Sequence, residues 1–271
     1  MQLGVNVPNF GPGTDPGVLR EWARVVAGSG FDLLMVSDHV AVTPDVAERY
    51  PEPFYDPFTT LSWLAGVTGG ELSLGTTVLV LPYRHPLLAA RMASNLQRLS
   101  GGRFVLGVGV GWARQEFDAL GVPFGARGRL TDEYLEVMRQ VWKAEEDQAA
   151  PVVWVGGNSA AAIRRAVRFG DAWHPLRLPL TRMRSVLADN ALPGFAPRIA
   201  LRLTDTPVED AERPAGVGDM RQIVGDLAEL RGLGAQTVVL DPYHGDPAQT
   251  RRPEAAWRAL TAVAEQWRRA S

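Results

Sequence analysis

Short apolar runs alternate with helical patterns eight times along this chain, and that alternation constrains the fold more than any other feature. Apolar stretches bounded by turn residues read as buried strands. They fall at Leu3 to Val7, Leu33 to Val36, Leu72 to Leu81, Arg103 to Gly111, Val152 to Val155, Asp171 to His174, Ile199 to Leu203 and Thr237 to Leu240. Between and after them, helical spacing runs over Pro16 to Gly28, Pro57 to Val67, Pro86 to Leu99, Leu130 to Trp142, Ser159 to Phe169, Leu180 to Asn190, Met220 to Arg231 and Pro253 to Arg268. Strands separated by helices cross over and lie parallel, with both faces covered. Eight such units over 271 residues predict a closed (β/α)8 TIM barrel in one domain, residues 1–271, rather than an open doubly wound sheet.

The composition fits one large core, with 46% hydrophobic and 21% charged residues. A net charge of -2 gives no reason to expect a nucleic-acid partner. Arg164, Arg165 and Arg168 recur at helical spacing and read as a solvated face. Without cysteine, the chain has no disulfides, thiolate nucleophiles or Cys-ligated metals. His39, His85, His174 and His244 stand far apart, none in an HExxH pattern, so no metal site is expected. Met1 to Val5 enter a strand directly, without a basic n-region, and no apolar run approaches the roughly 20 residues of a membrane span. A cytoplasmic protein is therefore expected.

In a barrel of this type the chemistry sits at the carboxyl ends of the strands. The run from Asp32 to Val36 is apolar after its first residue, and within three more residues the chain reaches Asp38 and His39. An acid and an imidazole at that place read as active-site residues; a turn cap beside a satisfied histidine is the alternative. The other strand ends offer Asn6 and Asn9, Thr77 and Val78, Gly109 to Trp112, Gly156 to Asn158, Trp173 and His174, Arg202, and Asp241 to His244. Of these, Asn6, Trp173, His174 and Arg202, together with Tyr83, are expected to face a substrate. Trp173 and His174 have the alternative of plugging the barrel mouth.

Two glycine motifs stand out. Gly156-Gly157-Asn158 lies between a strand and a helix, where glycines admit a ligand and a helix N-terminus favours phosphate. By itself it reads better as a tight turn capped by Asn158 or Ser159. The run Gly107-Val108-Gly109-Val110-Gly111 lacks the spacing of a dinucleotide fingerprint. It reads as a strand whose missing side chains make room for a flat ring.

Taken in order, these segments resemble the bacterial luciferase-like superfamily of flavin- and deazaflavin-dependent oxidoreductases. The resemblance is carried by Asn6 to Gly11, Ser37 to Val40, Leu74 to Pro86, Leu99 to Arg103, Gly107 to Trp112, Trp154 to Asn158 and Gly170 to Pro175, and is nearest to its actinobacterial F420-dependent branch. It implies a TIM barrel with an isoalloxazine-like ring at the carboxyl face. Carried over by position, Asp38 and His39 match the pair contacting deazaflavin and substrate. Thr77-Val78 matches a non-prolyl cis peptide behind the ring. Gly109, Val110, Gly111 and Trp112 match a wall of the cofactor pocket, and Gly156, Gly157 and Asn158 the phosphate region. A homodimer is implied by family habit. One departure is evident: only Lys143 to Ala150 separate Trp142 from Pro151, where members carry a longer excursion before the fifth strand.

The function expected from this resemblance is hydride transfer between coenzyme F420 and a small organic substrate. His39 would move the proton, and Asp38 would orient the imidazole or hydrogen-bond the ring. Histidine's unperturbed pKa near neutrality suits that task. An FMN-dependent monooxygenase on the same barrel is the alternative, and a non-catalytic binding or subunit barrel a third.

Overall fold

The computed structural model describes residues 1–145 and 150–270. Its strands are β1 (Gln2–Asn6), β2 (Leu33–Val36), β3 (Ser73–Val80), β4 (Phe104–Gly109), β5 (Val152–Gly156), β6 (Ala172–His174), β7 (Arg198–Ala200), β8 (Arg202–Leu203), β9 (Val217–Gly218) and β10 (Thr237–Asp241). The helices are α1 (Pro16–Gly28), α2 (Pro44–Ala47), α3 (Pro57–Val67), α4 (Pro86–Leu99), α5 (Arg114–Ala119), α6 (Arg127–Ala144), α7 (Ala160–Phe169), α8 (Leu180–Asp189), α9 (Met220–Gly232) and α10 (Pro253–Ala270).

Eight strands make one parallel sheet in the order β6-β5-β4-β3-β2-β1-β10-β7. The two edges meet. Trp173 N–H donates to Gly194 O at 2.9 Å, Ala196 N–H to Trp173 O at 3.0 Å, and Arg198 N–H to Pro175 O at 2.9 Å. These bonds bring the ring to near closure, so the predicted TIM barrel is present. None of the described helices is long and apolar enough to cross a membrane.

Strand alternation divides the core into two layers. Leu33, Met35, Trp154, Ala172, Ala196 and Val239 form one cluster, which strand parity places inside the ring. Residues of the opposite parity, such as Leu34, Val36, Val153 and Val155, pack outward with the helices. Helix α1 shows how those elements are set. Asp15 accepts a capping bond from Val18 N–H at 2.8 Å, and Pro16 opens the first turn. Leu19, Trp22, Ala23 and Val26 then face the barrel, buried as their spacing predicts.

The structure departs from the sequence expectations in three places. Two short helices, α2 and α5, occupy stretches where neither strand nor helix was expected. Helix α6 begins at Arg127, earlier than Leu130. The expected strand Ile199 to Leu203 is split. β7 ends at Ala200, and β8 leaves the barrel to pair with β9. Gly216 permits that exit, because a Cβ there would stand 1.7 Å from the Ala200 carbonyl oxygen. The shortened segment before β5 includes residues 146–149, which lie outside the described residues.

Candidate functional site

The carboxyl ends of the strands open on a cavity of about 350 Å³. It collects most of the expected residues: Asp38, His39, Thr77, Val78, Gly109 to Trp112, Gly156 to Asn158 and His174. Ser37, Tyr50, Val80, Leu176 and Arg198 complete the wall. Asn6, Tyr83, Trp173 and Arg202 are not part of it, and each has a structural explanation.

His39 is buried and fixed at one nitrogen. Its Nδ1 lies 2.6 Å from Glu116 Oε2. The same carboxylate accepts from Val40 N–H at 2.6 Å, Ala41 N–H at 3.1 Å and Tyr83 O–H at 2.8 Å. Burial alone would raise the Glu116 carboxyl, but the bonds from His39, Val40 and Tyr83 bring it below its ordinary value. An ionised carboxylate only accepts, so Nδ1 carries the hydrogen and Nε2 is the nitrogen left for a ligand. Tyr50 stacks on the imidazole at 5.4 Å, and Trp112, 48% exposed, meets it edge-on at 5.7 Å. Tyr83 thus acts through Glu116, from behind the cavity.

Asp38 does not orient His39. Consecutive side chains of an extended segment point apart, and Asp38 turns toward Arg84. It accepts from Arg84 Nη1 at 2.7 Å, Arg84 Nη2 at 2.8 Å and Val80 N–H at 2.9 Å. Arg84 also donates to Asp56 at 2.7 Å. Although burial opposes its charge, the two carboxylates raise the Arg84 guanidinium above its ordinary pKa. The orienting carboxylate expected beside His39 is Glu116, which no strand-end pattern exposes.

The floor belongs to β3. The Thr77–Val78 peptide is cis. The glycines of β4 and β5 make room for Val78 itself and do not leave an open slot. A Cβ on Gly109 would stand 2.5 Å from Val78 Cγ2, and one on Gly156 2.7 Å from Val78 Cγ1. At Gly107 a Cβ would stand 2.0 Å from the Thr76 carbonyl oxygen. The glycine strand therefore lets Val78 sink into the wall.

His174 stands on the inward parity of β6, beside Trp154, and its ring lies 2.8 Å from Thr77 Oγ1 through Nε2. Its Nδ1 faces the Ala196 carbonyl, which fixes the hydrogen on Nδ1. Burial pushes its pKa down to about 4, aided by the charge of Arg198, so it is neutral near pH 7. Trp173 has the opposite parity. It is fully buried against Phe195 in the outer layer, and its indole N–H donates to Gly157 O at 2.9 Å. It therefore plugs nothing.

Arg198, and not the expected Arg202, lines the cavity. The inward parity of Ala196, Arg198 and Ala200 stops where the chain leaves the barrel, which puts Arg202 on the surface. Arg198 Nη1 donates to the Thr77 carbonyl at 2.6 Å, and Nη2 to Asp241 Oδ2 at 2.8 Å. Arg177 Nη2 reaches the same oxygen at 2.6 Å, and Asn6 donates to Oδ1 at 3.1 Å. Burial would raise the Asp241 carboxyl, but the two guanidiniums hold it below its usual range. Asn6 thus supports this cluster from below.

The turn after β5 is capped by Ser159, whose hydroxyl accepts from Ala162 N–H at 3.2 Å. The Asn158 amide is occupied elsewhere: it donates to Leu176 O at 2.8 Å and accepts from Leu176 N–H at 2.9 Å. Gly157, at φ +122°, makes the turn.

Sequence reasoning missed Glu116, Tyr50 and Arg198. Arg198 had a signal, an arginine at the edge of an apolar strand. Glu116, on the short helix α5, and Tyr50 lie outside every apolar run and helical spacing read from the sequence and had none.

Comparison with known proteins bears on this architecture. A family model described as luciferase-like monooxygenase matches residues 1–191. A Mycobacterium tuberculosis protein named as a coenzyme F420-dependent oxidoreductase is 30% identical over 179 residues, 59% of this chain and 50% of that one. The matches span 50% to 62% of the length of such mycobacterial relatives. Among solved structures, the FMN-bound oxygenating constituent of 3,6-diketocamphane monooxygenase from Pseudomonas putida superposes with a TM-score of 0.73. It is 16% identical, covering 98% of this chain and 97% of that one. The coenzyme F420-dependent tetrahydromethanopterin reductase of Methanopyrus kandleri gives 0.69 at 15% identity, covering 97% of each. These two share the fold. The matched residues 1–191 contain β1 to β6 and most of the cavity wall, and on that match this chain belongs to the luciferase-like monooxygenase family.

Proposed function

We propose that this chain is an oxidoreductase that seats the ring of coenzyme F420 on Val78 and serves hydride transfer to or from a small organic substrate. The observation that carries this is His39, anchored at Nδ1 by Glu116 and facing a cavity with an apolar floor. A flat tricyclic group fits the residues present. Gly109 and Gly156 fix the depth of the Val78 floor, since a Cβ at either would drive Val78 into the cavity. Thr77, His174 and Arg198 offer a polar edge to one side.

When bound, F420 supplies the hydride donor or acceptor. Val78 and the backbone of Gly109 to Gly111 would hold the ring faces. The backbone N–H groups of Asn158 and Ser159 would meet a phosphate, because the Asn158 side-chain amide is occupied by Leu176 and the Gly157 N–H by the His174 carbonyl at 3.3 Å. His39 Nε2 takes the proton of a substrate hydroxyl as its carbon is oxidised, and returns it in the reverse direction. Glu116 keeps Nδ1–H in place and stabilises the imidazolium that forms. Tyr50 and Trp112 pack against the imidazole and limit water around it. We extend the proposal to a single barrel domain, a small-molecule partner and a cytoplasmic homodimer.

FMN is the second reading, supported by the FMN complex among the fold neighbours. The deciding experiment is an absorbance spectrum of the purified protein followed by titration with each coenzyme. Saturable F420 binding, with no flavin released on heating, is the expected result. A yellow protein that releases FMN transfers the site to the second reading. Binding of neither coenzyme overturns both.

A further inference from the structure

A second cavity of about 860 Å³ lies beside β8, between that segment and α10. Leu201, Leu203, Ala256 and Ala259 contribute apolar wall. Four arginines converge on it from three separate stretches of chain: Arg202 from β8, Arg251 and Arg252 from the turn before α10, and Arg258 from α10 itself. All four are exposed. Among the described residues none of their guanidiniums has a carboxylate partner, in contrast to Arg84, Arg177, Arg198 and Arg213, which all do. One carboxylate lines the cavity, Asp246, and its Oδ1 caps the turn by accepting from Ala248 N–H at 2.9 Å.

The surplus extends inward. Asp241 answers two guanidiniums with one charge, and Arg177 continues to the Tyr243 carbonyl, next to His244 in the cavity wall. His244 is pushed toward its neutral form by burial and by the charges of Arg177 and Arg202. The whole chain carries -2, so this concentration of positive charge is local. Arginines scattered over a convex helix face need no explanation. Four unpaired ones around a concave, partly apolar surface raise the potential there and repel one another until an anion enters.

We propose that this cleft is a binding site for a small anionic amphiphile, a phosphate or carboxylate head on an apolar chain. Guanidinium forks match both heads bidentately, and Leu201, Leu203 and the alanines of α10 suit the chain. The site shares no lining residue with the cavity above Val78, so it stands apart from the coenzyme proposal.

Calorimetric titration of the full chain with octyl phosphate, octanoate and octanol tests it. One molecule of octyl phosphate or octanoate should bind per chain, more weakly as salt rises, and octanol should not. Whichever head binds tighter is the one the cleft prefers. The Arg202→Gln/Arg258→Gln double variant, changed only at exposed positions, should weaken binding by about tenfold or more. His39→Ala should leave the affinity unchanged. Equal binding of octanol, an unaffected double variant, or loss of binding in His39→Ala each overturns the site. So does a change in sedimentation of the double variant, which marks the cleft as a contact between copies.

Discussion

Glu116 Oε2 lies 2.6 Å from His39 Nδ1, joining residues 77 positions apart on β2's exit and on α5. That bond fixes which imidazole nitrogen faces the cavity. Glu116→Gln keeps the shape but replaces an acceptor-only group with one that also donates. Turnover should fall about a hundredfold if His39 moves the proton. Stability should drop by about 1–3 kcal/mol, because several buried donors lose a charged acceptor. Steady-state rates across pH, with urea unfolding as control, check both. Unchanged turnover removes His39 from the proposed proton path.

Two acid-sensitive groups separate by pH window. His174 has its folded pKa lowered from 6.5 to about 4, so the unfolded chain binds its proton first. Stability is full above about pH 6.5 and falls until about pH 4, by up to about 3 kcal/mol. Glu116 is also lowered, from a reference of 4.5, so its contribution is present above that value and is lost as pH falls further. Urea midpoints of His174→Gln should flatten between pH 6.5 and 4, and those of Glu116→Gln below it. The same slope in wild type and His174→Gln contradicts the buried neutral imidazole.

Gly109→Ala places a methyl group 2.5 Å from Val78 Cγ2, inside any real contact. Overpacking should cost about 1–3 kcal/mol. Val78→Ala in the same chain should recover part of it, a non-additivity expected of touching residues. Melting temperatures of the two single variants and the double test this. Strict additivity shows that Val78 is not what the glycine accommodates.

Asp241→Asn leaves Arg177 and Arg198 without their shared charge. Breaking a buried ion pair from one side should cost about 3–5 kcal/mol. Loosening Arg198 should also weaken coenzyme binding, since Arg198 donates to the Thr77 carbonyl. Urea denaturation and coenzyme titration provide the readouts. A loss below about 1 kcal/mol contradicts the ion cluster.

The order of apolar runs and helical spacing determined the barrel by itself, because a strand buried on both faces and a helix with one apolar stripe leave distinct periods in sequence. Strand ends were legible for the same reason. Asp38, His39, Thr77, Gly156 and His174 stand where an apolar period stops, and the structure brings them to one cavity. Parity errors account for Trp173, and the chain's exit after Ala200 accounts for Arg202. What only the tertiary structure decided was partnership. Glu116 rather than Asp38 holds His39, Arg84 takes Asp38, and Val78 fills the space beside the β4 and β5 glycines. Such pairings depend on where loops and neighbouring strands return in space, and a period along one strand carries no record of that.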